Sequence, residues 1–187
     1  LGKIVLGVTG SIAAYKAVSL LREFIKREKV VVVALTENAK KFITPLTFEA
    51  LSGNRVITDL FTEHSSPEIA HTSLADSCDL LVVAPATANI IGKFASGIAD
   101  DFLTTFFLST DAPVVIAPAM NSRMYAHPVV KGNIERLKKL GVIFVEPEEG
   151  WLACGAEGMG RLAPVDKIAS ISFDILGKKK RLKGSPS

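Results

Sequence analysis

Cysteine is scarce in this sequence: Cys78 and Cys154 are the only two in 187 residues. Two thiols in unrelated contexts exclude a disulfide-stapled fold. With three scattered histidines and no second thiol at ligand spacing, they make no zinc site either. Also missing is any run near the roughly 20 apolar residues that a membrane-spanning helix needs. The first residues lack the basic flank and small-residue cleavage site of a secretory signal, so a cytoplasmic protein with no membrane partner is expected. Positive charge is thin over most of the chain despite a formal net charge of +3, because Lys178, Lys179, Lys180, Arg181 and Lys183 crowd the end. Residues 1–176 carry 17 Lys and Arg against 19 Asp and Glu, a net of −2. Such a distribution reads as a solvated basic tail and not as a nucleic-acid-binding surface. No internal repeat is present.

What the sequence does hold is apolar mass, 48% of its residues, enough for one sizeable core. Five short β-branched runs, 3–8, 30–35, 80–84, 114–117 and 142–145, are continuously apolar and so predict strands buried on both faces. Between the first two, residues 12–27 predict a helix whose stripe is Ala13, Ala17, Leu20, Leu21 and Phe24, with Lys16 and Glu23 facing away. Strand alternating with helix implies an α/β fold, a parallel sheet covered on both faces. One domain over residues 1–176 is expected, followed by a basic linker or tail over 177–187 with no apolar face.

Right-handed crossovers bring the C-terminal strand ends to one edge, where ligands of open α/β sheets collect. The turn from Gly7 to Ala14 runs strand, tight turn, helix, which suits an anion at the helix start, with Gly10 in the turn and Ser11 adding a hydroxyl. It is neither a dinucleotide fingerprint, because Thr9 and Ile12 stand where glycines belong, nor a Walker loop. Alone it is as much a ligand-free helix cap as a phosphate cradle. Thr36 after the second strand would face the same anion or simply cap a helix. Pro85, Ala86, Thr87, Ala88 and Asn89 combine two hydrogen-bonding side chains with small residues that would let a flat ring approach the backbone, or form a capped loop.

The run Pro118, Ala119, Met120, Asn121, Ser122, Arg123, Met124, Tyr125 resembles the PxMNxxMW signature of the homo-oligomeric flavin-containing cysteine decarboxylases, departing only at Tyr125. The segment from Leu152 to Arg161, with Ala153, Cys154 and Gly155, resembles the substrate-recognition stretch of the phosphopantothenoylcysteine decarboxylase branch. The turns at Thr9–Lys16, Thr36–Phe42, His71–Leu74 and Ala84–Asn89 also fit. Resemblance therefore extends over residues 3 to about 176. It implies a flavodoxin-like, Rossmann-like three-layer fold and FMN as cofactor, held by Gly10, Ser11, Thr36, the Pro85–Asn89 turn, Ala119 and Met120. It further implies a homotrimer, or a higher multiple of trimers, with active sites between subunits. In many bacteria and archaea a phosphopantothenate–cysteine ligase domain follows, and the basic tail resembles the start of that junction. An isolated half of a bifunctional protein is expected.

The implied reaction is decarboxylation of 4′-phosphopantothenoylcysteine to 4′-phosphopantetheine in coenzyme A biosynthesis. Losing CO2 from a saturated cysteine amide requires an electron sink, the role that the resemblance gives to FMN. Asn121 is implied to grip the departing carboxylate through an amide that donates and accepts. His71, with a near-neutral pKa, is implied to take a proton, and Cys154 to donate one to the enethiol late in the cycle. Cys78 reads as a small buried hydrophobe, and His64 and His127 as surface residues. Arg123 and Arg161 are candidates for the substrate phosphate, or solvated arginines. Two other readings compete: a decarboxylase of peptide C-terminal cysteine, and a non-catalytic flavin-binding regulatory subunit. A flavin prenyltransferase on the same fold lacks the PxMN segment.

Overall fold

The computed structural model describes residues 2–59, 73–151, 155 and 157–183. Its centre is a parallel sheet of β1 (Lys3–Val8), β2 (Val30–Leu35), β3 (Leu80–Ala86), β4 (Val114–Pro118) and β5 (Ile143–Phe144), in the order β2-β1-β3-β4-β5. All five expected strands form. The third and fourth run one or two residues further than their apolar cores, and the fifth pairs over only two residues.

Side chains alternate across the sheet and divide the core in two. Ile4, Leu6 and Val8 of β1 and Leu80 and Val82 of β3 face one layer, with Leu20, Leu21, Phe24 and Ile168. Val5, Leu81 and Val83 face the other, with Ile91, Leu103, Phe106 and Leu137. The first layer is built by α1 (Lys16–Lys26), α2 (Pro45–Ser52) and α7 (Val165–Lys183). The second is built by α3 (Ala88–Ser96), α4 (Phe102–Ser109) and α6 (Pro128–Lys139). Each large side chain buried this fully stabilises the fold by about 1.5–3 kcal/mol. The three-layer, flavodoxin-like arrangement expected from the sequence is the one observed.

Two local expectations are corrected. The helix after β1 begins as a 3-10 turn over Ile12–Tyr15, and only then becomes α1. A 3-10 turn winds more tightly than an α-helix, so a stripe drawn at uniform α-helical spacing is out of phase at its start. Ala14 is the fully buried residue and Ala13 only partly so. The second correction is at the other end of the chain, where α7 runs on to Lys183, past the point at which the apolar stripe stops. Lysine and arginine are good helix formers. The extension is also tied down: Lys179 Nζ lies 3.3 Å from Asp79 Oδ1. Among the described residues no helix is long and apolar enough to cross a membrane.

A short helix α5 (Ser122–Ala126) follows β4. The glycine-rich stretch near residue 150 folds into an antiparallel hairpin of β6 (Glu148–Trp151) and β7 (Glu157–Arg161).

Candidate functional site

The ends of β1, β2, β3 and β4 and the hairpin strand β7 enclose one cleft of ≈ 850 Å³, a size usual for small-molecule sites. Chain topology explains its place. The path moves outward from β1 to β2, then returns to β3 on the other side of β1, so the two connections leave the sheet on opposite faces and a crevice opens between them.

Gly10 and Ser11 after β1 form one wall with Thr36 after β2. Ser11 is extended (φ −131°, ψ 152°) and its hydroxyl accepts the Ala13 N–H at 3.2 Å, capping the 3-10 turn. Thr36 accepts the Ala39 N–H at 3.2 Å, and Thr87 accepts the Ile90 N–H at 3.3 Å to cap α3. Each hydroxyl thus uses a lone pair on the backbone and keeps a proton that it can donate. At Gly10 a side chain would run into Asn38, so the β1 and β2 turns close on each other only because residue 10 has no Cβ.

Thr87, Ala88 and Asn89 form the next part of the wall, and Ala119, Met120 and Asn121 the next. Pro85 and Ala86, expected beside them, lie behind the wall: both are buried, and their carbonyls are taken by Thr9 and by the Ala119 N–H at 3.0 Å. Asn121 Oδ1 accepts the Arg123 N–H at 2.8 Å and caps α5. His71 and Cys154 lie outside the described residues.

The far wall comes from the hairpin. The Met120 N–H donates to the Gly160 carbonyl at 2.9 Å, and Gly160 holds a φ of +146° at which a side chain would strike the Met120 carbonyl oxygen. Arg161 lines the cleft beside Lys16, whereas Arg123, the other candidate from the sequence, does not. Burial and the Arg161 guanidinium pull the Lys16 ammonium below the ordinary lysine value, with Glu148 opposing. Lys16 stays off the core stripe, as helical spacing placed it, and from there lines the cleft, a place that spacing alone did not reveal. Lys93 and Asp101 were also missed; Lys93 pairs with Asp100 at 2.8 Å and Asp101 caps α4 through the Thr104 N–H at 2.8 Å.

Two features sit at the rim. Ile12, Tyr15 and Met124 line the opening while remaining 59%, 62% and 48% exposed. Tyr125, the departure from the signature, packs partly into the core and donates its hydroxyl to Glu146 Oε2, and Lys138 reaches Glu146 Oε1 at 3.0 Å. Burial and the bond to Glu146 push the Tyr125 phenol well above its ordinary value. Burial raises the Glu146 carboxyl, but the bonds from Tyr125 and Lys138 outweigh it and leave the group below its ordinary value.

A five-stranded parallel sheet with a hydroxyl-lined turn and a small-residue wall at the β1/β3 switch point defines an α/β small-molecule-binding domain of the flavodoxin type. Residues 2–177 match the Flavoprotein family, and the chain belongs to that family. Among curated relatives, the coenzyme A biosynthesis bifunctional protein CoaBC of Bacillus subtilis (strain 168) is 51% identical over 169 residues, covering 90% of this chain and 42% of the relative. The chain thus spans less than half the length of that protein. A solved PPC decarboxylase variant complexed with pantothenoylaminoethenethiol superposes with a TM-score of 0.82 at 28% identity, covering 94% of this chain and 98% of that one. The FMN-dependent cysteine decarboxylase SpaF gives 0.80 at 29% identity, covering 94% and 97%.

Proposed function

We propose that this chain is the FMN-dependent decarboxylase that converts 4′-phosphopantothenoylcysteine to 4′-phosphopantetheine, acting in the cytoplasm. The observation that carries this reading is the meeting, in one cleft, of a hydroxyl-lined turn, a small-residue wall, Asn121 and a Lys16–Arg161 cation pair. The wall fits a flavin nucleotide: Ser11 and Thr36 offer O–H donors for a phosphate, and Ala88 and Ala119 leave room for a flat ring beside Thr87 and Asn89. Gly10, Ser11, Thr36, Thr87, Ala88, Asn89, Ala119 and Met120 hold it directly, with Pro85 and Ala86 shaping the turn from behind.

When bound, FMN supplies the electron sink that allows CO2 to leave and returns the electrons afterwards, so the reaction has no net redox change. The chain does the rest. Asn121 binds the substrate carboxylate through its Nδ2 donors until it departs as uncharged CO2. His71 takes the proton released at the start, and Cys154, as a neutral thiol, returns one at the end. Lys16 and Arg161 add positive charge to the cleft that holds Asn121, which suits a phosphorylated substrate better than a peptide. The exposed apolar rim of Ile12, Tyr15 and Met124 suits burial against a second copy, as in a trimer with sites between subunits. The relatives' greater length fits a ligase domain continuing from α7 in the full protein.

The test is substrate preference. Purified protein loaded with FMN is offered 4′-phosphopantothenoylcysteine and a peptide ending in cysteine, and product masses are followed. Exclusive turnover of the phosphorylated substrate is expected. Turnover of the peptide alone would replace the substrate, and bound flavin with neither reaction would favour a regulatory subunit.

A further inference from the structure

We propose that Thr9 is a positioning residue that sets the spacing of the two flavin-facing turns, and that its hydroxyl is required for tight FMN binding. The inference rests on the flavin reading of the cleft and adds to it a residue that joins the turns at their base. Thr9 is 2% exposed and one of three buried polar residues among the described residues. Its Oγ1 donates to the Pro85 carbonyl at 2.6 Å and accepts the Thr87 N–H at 3.1 Å, while its own N–H points to the same Pro85 carbonyl at 3.3 Å.

The place of these bonds gives them their consequence. Regular pairing of β1 with β3 ends at Gly7 and Val83, and beyond Val83 the register of β3 against β4 is irregular. Past that point one backbone bond, from the Thr9 N–H to the Pro85 carbonyl, still joins the two strands, but it does not reach the Thr87–Asn89 turn. The Thr9 side chain does, by bonding to both ends of the β3 turn at once. Threonine suits it because a β-branched side chain has few rotamers, which holds the hydroxyl in place. Valine has the same shape but can neither donate nor accept, so Thr9→Val takes from the half-buried Thr87 N–H its Thr9 partner. A ligand that spans both turns would meet them at the wrong separation.

FMN and riboflavin serve as probes, since riboflavin lacks the phosphate and draws less on the Ser11 turn. Dissociation constants of both are measured by flavin fluorescence for wild type, Thr9→Val and Thr9→Ser, well below each protein's melting temperature. In Thr9→Val the FMN constant should rise by about tenfold or more. Riboflavin should lose less, so that the preference for FMN over riboflavin narrows, and Thr9→Ser should recover most of the affinity. A general loss of stability would not narrow that preference. If valine prevents folding, Thr9→Ala, which only removes atoms, carries the same expectations. FMN binding by Thr9→Val or Thr9→Ala within about threefold of wild type, or equal losses for both flavins, overturns the proposal. A wild-type protein that binds neither flavin overturns the flavin reading itself.

Discussion

The two sides of the cleft are built on different principles. On the side formed by the turns after β1, β2 and β3, Gly10, Ser11, Thr36, Thr87, Ala88 and Asn89 are uncharged, the charged lining residues Glu37 and Lys93 are paired with Lys40 and Asp100, and three of its hydroxyls are fixed by capping bonds. Its shape follows from the sheet and from local helix starts, so it stands preformed for a ligand of fixed outline. The side formed by the turn after β4 and the β6–β7 hairpin carries Asn121 and Arg161, with Lys16 reaching the same cleft from the start of α1, and its position depends on long-range pins, above all Met120 to Gly160. A rigid neutral wall suits a resident cofactor, whereas a charged wall assembled from separate segments suits a substrate that comes and goes.

Breaking the second side alone should therefore spare the first. Asn121→Asp sets a negative charge against the substrate carboxylate, and kcat/KM should fall about 100- to 1000-fold with FMN affinity unchanged. Steady-state kinetics beside a flavin titration checks this; loss of FMN along with activity would show that the two sides are not separable. Gly160→Ala comes next, because a Cβ there would strike the Met120 carbonyl oxygen. Displacing the hairpin by a fraction of an ångström to about 1 Å should lower kcat/KM about 10- to 100-fold, with a smaller loss of flavin affinity through the Met120 contact.

The smallest effect concerns Tyr125, which pins the rim from outside. Its contribution has two pH limits. The Glu146 carboxyl sits below its ordinary value of 4.5, so its share of stability is present above that value and is lost as pH falls through the lowered one. The Tyr125 phenol sits above its ordinary value of 10.0, so its share holds below that value and is lost as pH rises through the raised one. Both groups are partly exposed, and Tyr125→Phe should lower the melting temperature at neutral pH by only about 1–3 °C. That gap should close as the pH drops below about 4. A constant gap down to acid pH would mean that ring packing, not the bond to Glu146, is what matters.

Strands and turns were legible in the sequence because each depends on its own residues. Continuous apolar runs mark strands buried on both faces, and Ser11, Thr36 and Thr87 are capping types placed directly after them. Ala13 was set on the buried stripe in place of Ala14 because nothing in Ile12–Tyr15 announces a 3-10 start, and an error in phase shifts the buried position. The β6–β7 hairpin was invisible for a different reason. Gly150, Gly158 and Gly160 have poor strand propensity and no alternation, and the hairpin docks through the Met120 N–H, a partner far away in sequence. Residues after 176 were read as a linker or tail because apolar periodicity stops there, although helix propensity and the Lys179–Asp79 pair carry α7 on to Lys183.

The central claim is that flavin occupies the neutral side of the β1/β3 cleft, and a crystal structure of the FMN-loaded protein tests it most directly. The phosphate should lie within hydrogen-bonding distance of Ser11 and Thr36, with the ring against Thr87–Asn89 and Ala119–Met120 and the space between Asn121 and Arg161 left for substrate. Flavin bound outside this cleft, or with its phosphate at Lys16 and Arg161 and its ring on the hairpin side, would contradict the account.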